Sequence, residues 1–73
     1  MTLVIELDQE DDGRWIAEVS SDTVPHFPDI LIYGATREEA IALAEAAALR
    51  ALADLVEAMG PDIPTSVSFA IAA

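Results

Sequence analysis

The chain has 73 residues, no cysteine, and fourteen acidic side chains against three basic ones, which leaves a formal net charge of −11. The length fits one domain with a small core, the lack of cysteine excludes disulfides and thiolate metal sites, and the acidic balance disfavours direct binding of nucleic acid. No apolar run reaches the roughly 18 residues of a membrane span, and the N-terminal segment lacks the features of a signal peptide, so the sequence predicts a cytoplasmic protein without a membrane anchor. The negative charge either attracts a basic partner or keeps an alanine-rich domain in solution.

A β-hairpin is predicted at the start of the chain. Residues 2–8 and 14–19 alternate apolar and polar side chains, as half-buried strands do, and Asp12-Gly13 between them is typical of a tight turn. The side chains predicted to face the core are Leu3, Ile5, Leu7, Trp15, Ala17 and Val19. We interpret the acidic residues of the turn as a solvated loop tip, because their spacing lacks the alternating ligands of a calcium site.

An irregular segment and a third strand follow the hairpin. Two prolines three positions apart force extended backbone in residues 20–28 and prevent pairing within a central strand. His26 lies between these prolines beside Phe27. Because His26 is the only histidine, we expect the two residues to contact a partner and not to serve a metal or a proton relay. Residues 29–33 predict the third strand, whose three consecutive aliphatic side chains indicate that both faces are partly covered.

A long helix is predicted from residue 37 to about residue 59. Thr36 is the expected N-cap: its hydroxyl accepts from the backbone N–H of Glu39, and Glu39 accepts in return from the N–H of Thr36, which forms a capping box. Glu38 and Glu39 place negative charge at the positive end of the helix dipole. Gly34 precedes the cap, where the chain must swing from the strand into the helix.

Two apolar faces are predicted on this helix, which ends at Gly60 because Pro61 cannot continue it. The face predicted to pack on the sheet holds Ala40, Ile41, Ala44, Ala48, Ala51, Leu55 and Met59. The second apolar group comprises Ala42, Ala46, Leu49, Ala53 and Val56. Because one stripe suffices to cover a small sheet, Leu49 and Val56 predict a contact surface, most simply that of a symmetric homodimer joined through the helix. Pairing of exposed sheet edges is the alternative.

The fourth strand is predicted at residues 65–71, with Val67, Phe69 and Ile71 on one face. The element order β-β-β-α-β predicts an α+β fold, a two-layer sandwich in which the helix covers one face of a small mixed sheet. The connection through the helix is long enough to place the last strand beside the first and parallel to it. We expect a single domain over residues 1–73, with no cofactor, no metal site and no catalytic residue.

Three stretches of the chain carry motifs in a fixed order. Residues 8–19 have the sequence D-Q-E-D-D-G-R-W-I-A-E-V, residues 24–40 have V-P-H-F-P-D-I-L-I-Y-G-A-T-R-E-E-A, and residues 66–73 have S-V-S-F-A-I-A-A. These stretches resemble the HicB family of antitoxins, in particular its short single-domain members. The first stretch resembles the first hairpin of that family, and the last resembles its final strand. The middle stretch resembles the family's V-P-x-L-P-G segment, the strand after it and the G-x-T-x-E-E-A motif. The residues that match the G-x-T-x-E-E-A motif are Gly34, Thr36, Glu38, Glu39 and Ala40.

The resemblance implies a partial ribonuclease-H-like fold without nuclease activity. It also implies a non-catalytic, HicB-like domain of a toxin–antitoxin system, which binds a small basic endoribonuclease, a HicA-type toxin, and masks its catalytic histidine and RNA-binding surface. The net charge of the chain fits such a partner. The alternative is an orphan structural or regulatory homo-oligomer of the same fold with no toxin partner.

The chain departs from the family pattern in three places. Residues 20–23 look inserted between the second strand and the V-P segment. Asp29 stands where the family has glycine, so the turn before the third strand is expected to differ. The C-terminal DNA-binding segment of full-length antitoxins has no counterpart here, so operator binding is not expected.

Overall fold

The computed structural model describes residues 1–60 and 66–72. Its elements are β1 (Thr2–Gln9), β2 (Trp15–Ser20), β3 (Ile30–Gly34), α1 (Arg37–Met59) and β4 (Ser68–Ala72). The strands form a mixed sheet in the order β3-β2-β1-β4, in which β4 is parallel to β1 and the other neighbours are antiparallel. The α+β class, the element order and the place of the last strand are therefore confirmed. The predicted strand start at residue 65 and the proline that follows the helix lie outside the described residues.

The first hairpin forms as its alternating pattern predicts. The side chains buried on one face of β1 and β2 are Leu3, Ile5, Leu7, Ala17 and Val19. Trp15 packs against this core and is partly buried. Gly13 closes the turn with a φ of 92°, a backbone conformation that glycine adopts without strain, and its N–H donates to the carbonyl oxygen of Glu10 over 2.9 Å.

One of the two faces of β3 is open, so the prediction that both are partly covered is wrong. Ile30 and Ile32 pack against the core, whereas Leu31 is 54% exposed and Tyr33 is 44% exposed. The helix covers only one side of the sheet. Three consecutive aliphatic side chains have no period from which the covered side can be recognised.

The helix begins and ends where predicted, with one difference in its cap. The N–H of Glu39 donates to Thr36 Oγ1 over 3.1 Å, as expected of an N-cap. The Glu39 carboxylate accepts from the N–H of Ala35 over 3.1 Å, one residue earlier than the predicted donor, Thr36. At the other end Gly60 has a φ of 65°, and its N–H donates to the carbonyl oxygen of Val56.

Small side chains bring α1 close to the sheet. The buried residues of the helix are Ala40, Ala44, Ala48 and Leu52. Ile41 and Leu55 are partly buried against them, as predicted. Leu52 was not predicted on this face, and Ala51 and Met59, which were, are only partly buried. The buried residues Ala40, Ala44, Ala48 and Leu52 follow one another at steps of four. Each such step rotates the position by about 40° around the helix, so the buried stripe winds around the helix and reaches Leu52.

The start of α1 rests directly on the end of β3. Gly34 is buried at this corner, and a Cβ added to it would lie 2.5 Å from the backbone nitrogen of Ala40 and 2.8 Å from its Cα. Glycine is needed here because two backbones approach closely, a reason that adds to the change of direction expected from the sequence.

The helix covers its side of the sheet unevenly. It packs chiefly against β3 and β2 and only slightly against β1. Ile71 of β4 pairs with Ile5 of β1 and shares its face of the sheet, yet Ile71 is 46% exposed whereas Ile5 is fully buried. The β4 edge of the sheet therefore extends beyond the cover that α1 provides.

We predict that Thr36→Ala lowers the free energy of unfolding by about 1 kcal/mol, because it leaves the N–H of Glu39 without its acceptor. Thr36→Ser keeps the hydroxyl oxygen and is the matched control, with a much smaller change expected. Chemical denaturation followed by circular dichroism measures both variants. Equal stability of wild type and Thr36→Ala would show that the cap does not stabilise the helix.

Candidate functional site

The sheet has one face that α1 does not cover, which we call the open face. Its side chains alternate with those of the core along each strand. On β1, β2 and β3, the open face includes Val4, Glu6, Asp8, Ile16, Glu18, Leu31 and Tyr33. It combines exposed carboxylates with exposed or partly exposed apolar side chains.

Two carboxylates meet across the centre of the open face. Glu6 of β1 is directly opposite Glu18 of β2 in the antiparallel register, and both side chains are exposed. Asp8 follows two positions along β1 on the same face and is also exposed. Like charges directly opposite each other on neighbouring strands raise the free energy of the folded sheet. A cation placed between them would lower it.

The carboxylates surround a shallow concavity of about 360 Å³. Its lining residues are Glu6, Leu7, Asp8, Ile16, Glu18 and Leu31. An arginine or lysine side chain suits such a shape, because its aliphatic part can pack on apolar walls while its charged end reaches the carboxylates. The concavity therefore favours a basic, partly apolar ligand surface over a small anion.

A guanidinium already lies at one end of the open face. Arg14 Nε is 2.8 Å from Asp12 Oδ2, and the guanidinium carbon is 4.8 Å from the centre of the Tyr33 ring. Hydrogen bonds from the backbone N–H and then the side chain of Arg14 hold the pKa of the Asp12 carboxyl below its usual value. All three arginines are among the described residues, and none forms an ion pair with the carboxylates of the concavity. Those charges remain available to a partner.

The residues of the G-x-T-x-E-E-A pattern gather at the corner between β3 and α1. Gly34 lies against the backbone of Ala40, which is buried, and Thr36 is bonded to Glu39. Glu38 is exposed in the first turn of the helix. The contacts of this group cap the helix and pack it on the strand, so its role in the structure is architectural.

The four predicted contact residues lie in two parts of the fold. His26 is exposed in the loop before β3, with a φ of 61° that is uncommon for a residue other than glycine. Phe27 is partly buried and packs against the core, so only part of it can contact a partner. On the helix, Leu49 is 51% exposed and Val56 is 45% exposed, which confirms their predicted exposure. Their role in binding stays a prediction.

Sequence reasoning missed Leu31 and Tyr33 as members of the open face. The outward direction of Glu6 and Glu18 was visible in the alternation of β1 and β2. In β3 the alternation is hidden, because Ile30, Leu31 and Ile32 are all aliphatic. Only the pairing of Leu31 with Glu18 places it beside the carboxylates.

Two further observations concern the residues that the structure describes. Across residues 1–60 and 66–72, no group of three histidine, cysteine, aspartate or glutamate side chains is arranged to hold a metal ion. Over the same ranges, no helix has both the length and the apolar character needed to cross a membrane.

In comparisons with known proteins, no family model, curated protein or solved structure matches the chain.

We predict that Glu18→Gln raises the free energy of unfolding by roughly 0.2–1 kcal/mol at low ionic strength, because it removes the repulsion from Glu6. The gain should shrink as salt is added, since salt screens exposed charges. Glu45→Gln removes the same charge from the middle of α1 and is the matched control. If both variants gain equally in urea unfolding, total charge and not the Glu6–Glu18 pair is responsible.

Proposed function

We propose that the chain is a HicB-like antitoxin domain with a partial ribonuclease-H-like fold, and that it binds and masks a small basic endoribonuclease of the HicA type. The observation that carries the proposal is the open face, on which Glu6, Asp8 and Glu18 have no cation from the described part of the chain. A surface that binds RNA has to be rich in lysine and arginine to attract phosphates. Carboxylates around a partly apolar concavity are suited to cover such a surface and so exclude RNA from it.

The architecture supports the proposal that the chain is a HicB-like domain. The mixed sheet with strand order β3-β2-β1-β4 and one helix on one face is consistent with a partial ribonuclease-H-like fold. The G-A-T-R-E-E-A stretch at residues 34–40 begins at the last residue of β3 and ends in the first turn of α1. The glycine and the alanine of this stretch touch, and its threonine caps the helix, so each of these residue types has a physical reason at its position.

The charge of the chain supports the mode of action. A net charge of −11 on 73 residues attracts a basic protein over a distance and speeds their encounter. The exposed apolar side chains of Leu31 and Tyr33 add contact area that does not depend on charge. Binding is therefore expected to be fast at low salt and to weaken, without vanishing, as the ionic strength rises.

A second candidate function is an orphan homo-oligomer of the same fold, with a structural or regulatory role and no toxin partner. Exposed apolar side chains away from the open face favour it, chiefly Leu49, Val56 and Ile71. Homo-oligomerisation by itself is compatible with toxin binding, because the surfaces involved are different, but an orphan role is not. The two candidate functions are separated by whether a basic ribonuclease binds at all.

We predict that affinity isolation of the chain from its native host, with mass spectrometry, recovers a small basic ribonuclease. Added in equal amounts to that purified ribonuclease, the chain should stop its cleavage of RNA. The double variant Glu6→Gln/Glu18→Gln should bind about tenfold more weakly, a loss of about 1.4 kcal/mol, because it removes the central pair of carboxylates. Titration calorimetry at several salt concentrations measures the affinity.

The control for this experiment is Glu45→Gln/Asp54→Asn, which removes the same charge from α1 and should leave the affinity within a factor of two or so, since rim charges are worth little. Recovery of no basic ribonuclease, or of one whose RNA cleavage the chain leaves unchanged, would overturn the proposed function. Equal weakening by both double variants would keep the function but move the contact away from the open face.

We also infer that the chain is a binding protein without catalytic activity. We predict that the purified chain does not cleave RNA, with or without Mg²⁺ or Mn²⁺. A fluorescence-quenched RNA substrate gives a sensitive measurement. Turnover that persists through purification and disappears in the Glu6→Gln/Glu18→Gln variant would contradict this prediction, because contamination would not respond to those substitutions.

A further inference from the structure

The outer edge of β4 is a strand edge that pairs with no other strand among residues 1–60 and 66–72. β4 pairs on one side with β1 and is the last strand in the sheet. The N–H of Ser68 donates to the carbonyl oxygen of Met1, so this residue faces β1. Because successive residues of a strand alternate their hydrogen-bonding direction, the N–H groups of Phe69 and Ile71 point outwards, away from the sheet.

The sequence of this edge lacks the devices that usually prevent strand pairing. Natural edge strands are commonly protected by charged side chains, prolines or bulges. β4 consists of Ser-Phe-Ala-Ile-Ala, and no residue from 63 to 73 has an ionisable side chain. It is the longest stretch of the sequence without an ionisable side chain, so a second copy that approaches this edge meets no side-chain charge on the strand itself.

The side chains of the edge are also incompletely covered. Ile71 is 46% exposed, although it lies on the helix side of the sheet with the partly buried Phe69. Val67, just before the strand, is 42% exposed. Their exposure follows from the position of α1 over β3 and β2. The opposite edge differs, because the helix covers Ile30 and Ile32 of β3.

We propose that the chain forms a symmetric dimer in which β4 pairs antiparallel with β4 of a second copy. The pairing joins two sheets of four strands into one continuous sheet, with both helices on the same side. It satisfies the outward N–H groups of Phe69 and Ile71 and brings together the apolar strips that α1 leaves uncovered. A two-fold axis suits this edge, since a neutral strand is complementary to a copy of itself. The open face stays free, so the inference does not depend on the proposed function.

Proline substitution distinguishes the two edges of the sheet. Ile71→Pro removes an outward N–H of β4 and leaves the hydrogen bonds to β1 intact, because proline is tolerated where the N–H faces solvent. Leu31→Pro is the matched control on the edge of β3, where the same alternation turns the N–H of Leu31 outwards. Light scattering should give about twice the 7.8 kDa chain mass for wild type and Leu31→Pro, and the single-chain mass for Ile71→Pro.

Amide hydrogen exchange by NMR provides a second measurement that needs no variant. On raising the protein concentration, exchange at Phe69 and Ile71 should slow in proportion to the remaining monomer, while exchange at Leu31 should stay constant. Ile71→Lys, which keeps the backbone N–H but places a charge on the strip, should also give the single-chain mass and replaces Ile71→Pro if that variant does not fold.

Three results would overturn the inference. The first is a wild type that stays monomeric at all concentrations up to about 1 mM. A dissociation constant above about 1 mM corresponds to a binding free energy weaker than about 4 kcal/mol. The second is a dimer that survives Ile71→Pro and Ile71→Lys but dissociates in Leu49→Glu/Val56→Glu, which would place the contact on the helix. The third is a dimer lost in Leu31→Pro alone, which would assign it to β3.

Discussion

One helix is too narrow to cover a four-stranded sheet, and the placement of α1 determines which surfaces of the protein are exposed. With its side chains a helix is about 10–12 Å wide, whereas four strands at about 4.8 Å spacing span roughly 14 Å between their outer backbones. The alanines of α1 let it lie close over β3 and β2, and Gly34 removes the one Cβ that would obstruct its first turn. What remains uncovered is one entire face of the sheet and the strip along β4.

These two exposed regions differ in chemistry, and the difference supports separate roles. The open face carries Glu6 and Glu18 opposite each other, an arrangement that costs folding free energy and gains from a cationic partner. The β4 edge is uncharged, apolar and self-complementary. A protein of this size buries little surface, so gains from either contact are large relative to its own stability. Binding of the proposed partner and the proposed pairing of two copies would therefore each add to the stability of the fold.

Much of the fold could be predicted from the sequence, because local patterns specify it. Alternation identified the core residues of β1 and β2, and Thr36 and Gly60 marked the limits of the helix. The predictions fail where a local pattern fits more than one arrangement. The aliphatic run of β3 concealed the exposure of Leu31. The many alanines of α1 did not show which side of the helix is buried, so Leu52 was missed. The concavity on the open face was out of reach, since it depends on the register of Glu18 with both Glu6 and Leu31.

The pairing of β4 with β1 has a consequence for how the chain folds. The partners Thr2 and Ser68 are 66 positions apart, whereas the β1–β2 hairpin closes over a few residues. Because closing a longer loop costs more entropy, we expect the β1–β4 ladder to form after the hairpin. Until that step, β1 is itself an edge strand of the forming sheet. Glu6 and Asp8 project from it, and inward or outward charge on an edge deters chain-to-chain pairing. Charge at these positions would therefore also discourage pairing of β1 with another chain before β4 occupies its edge.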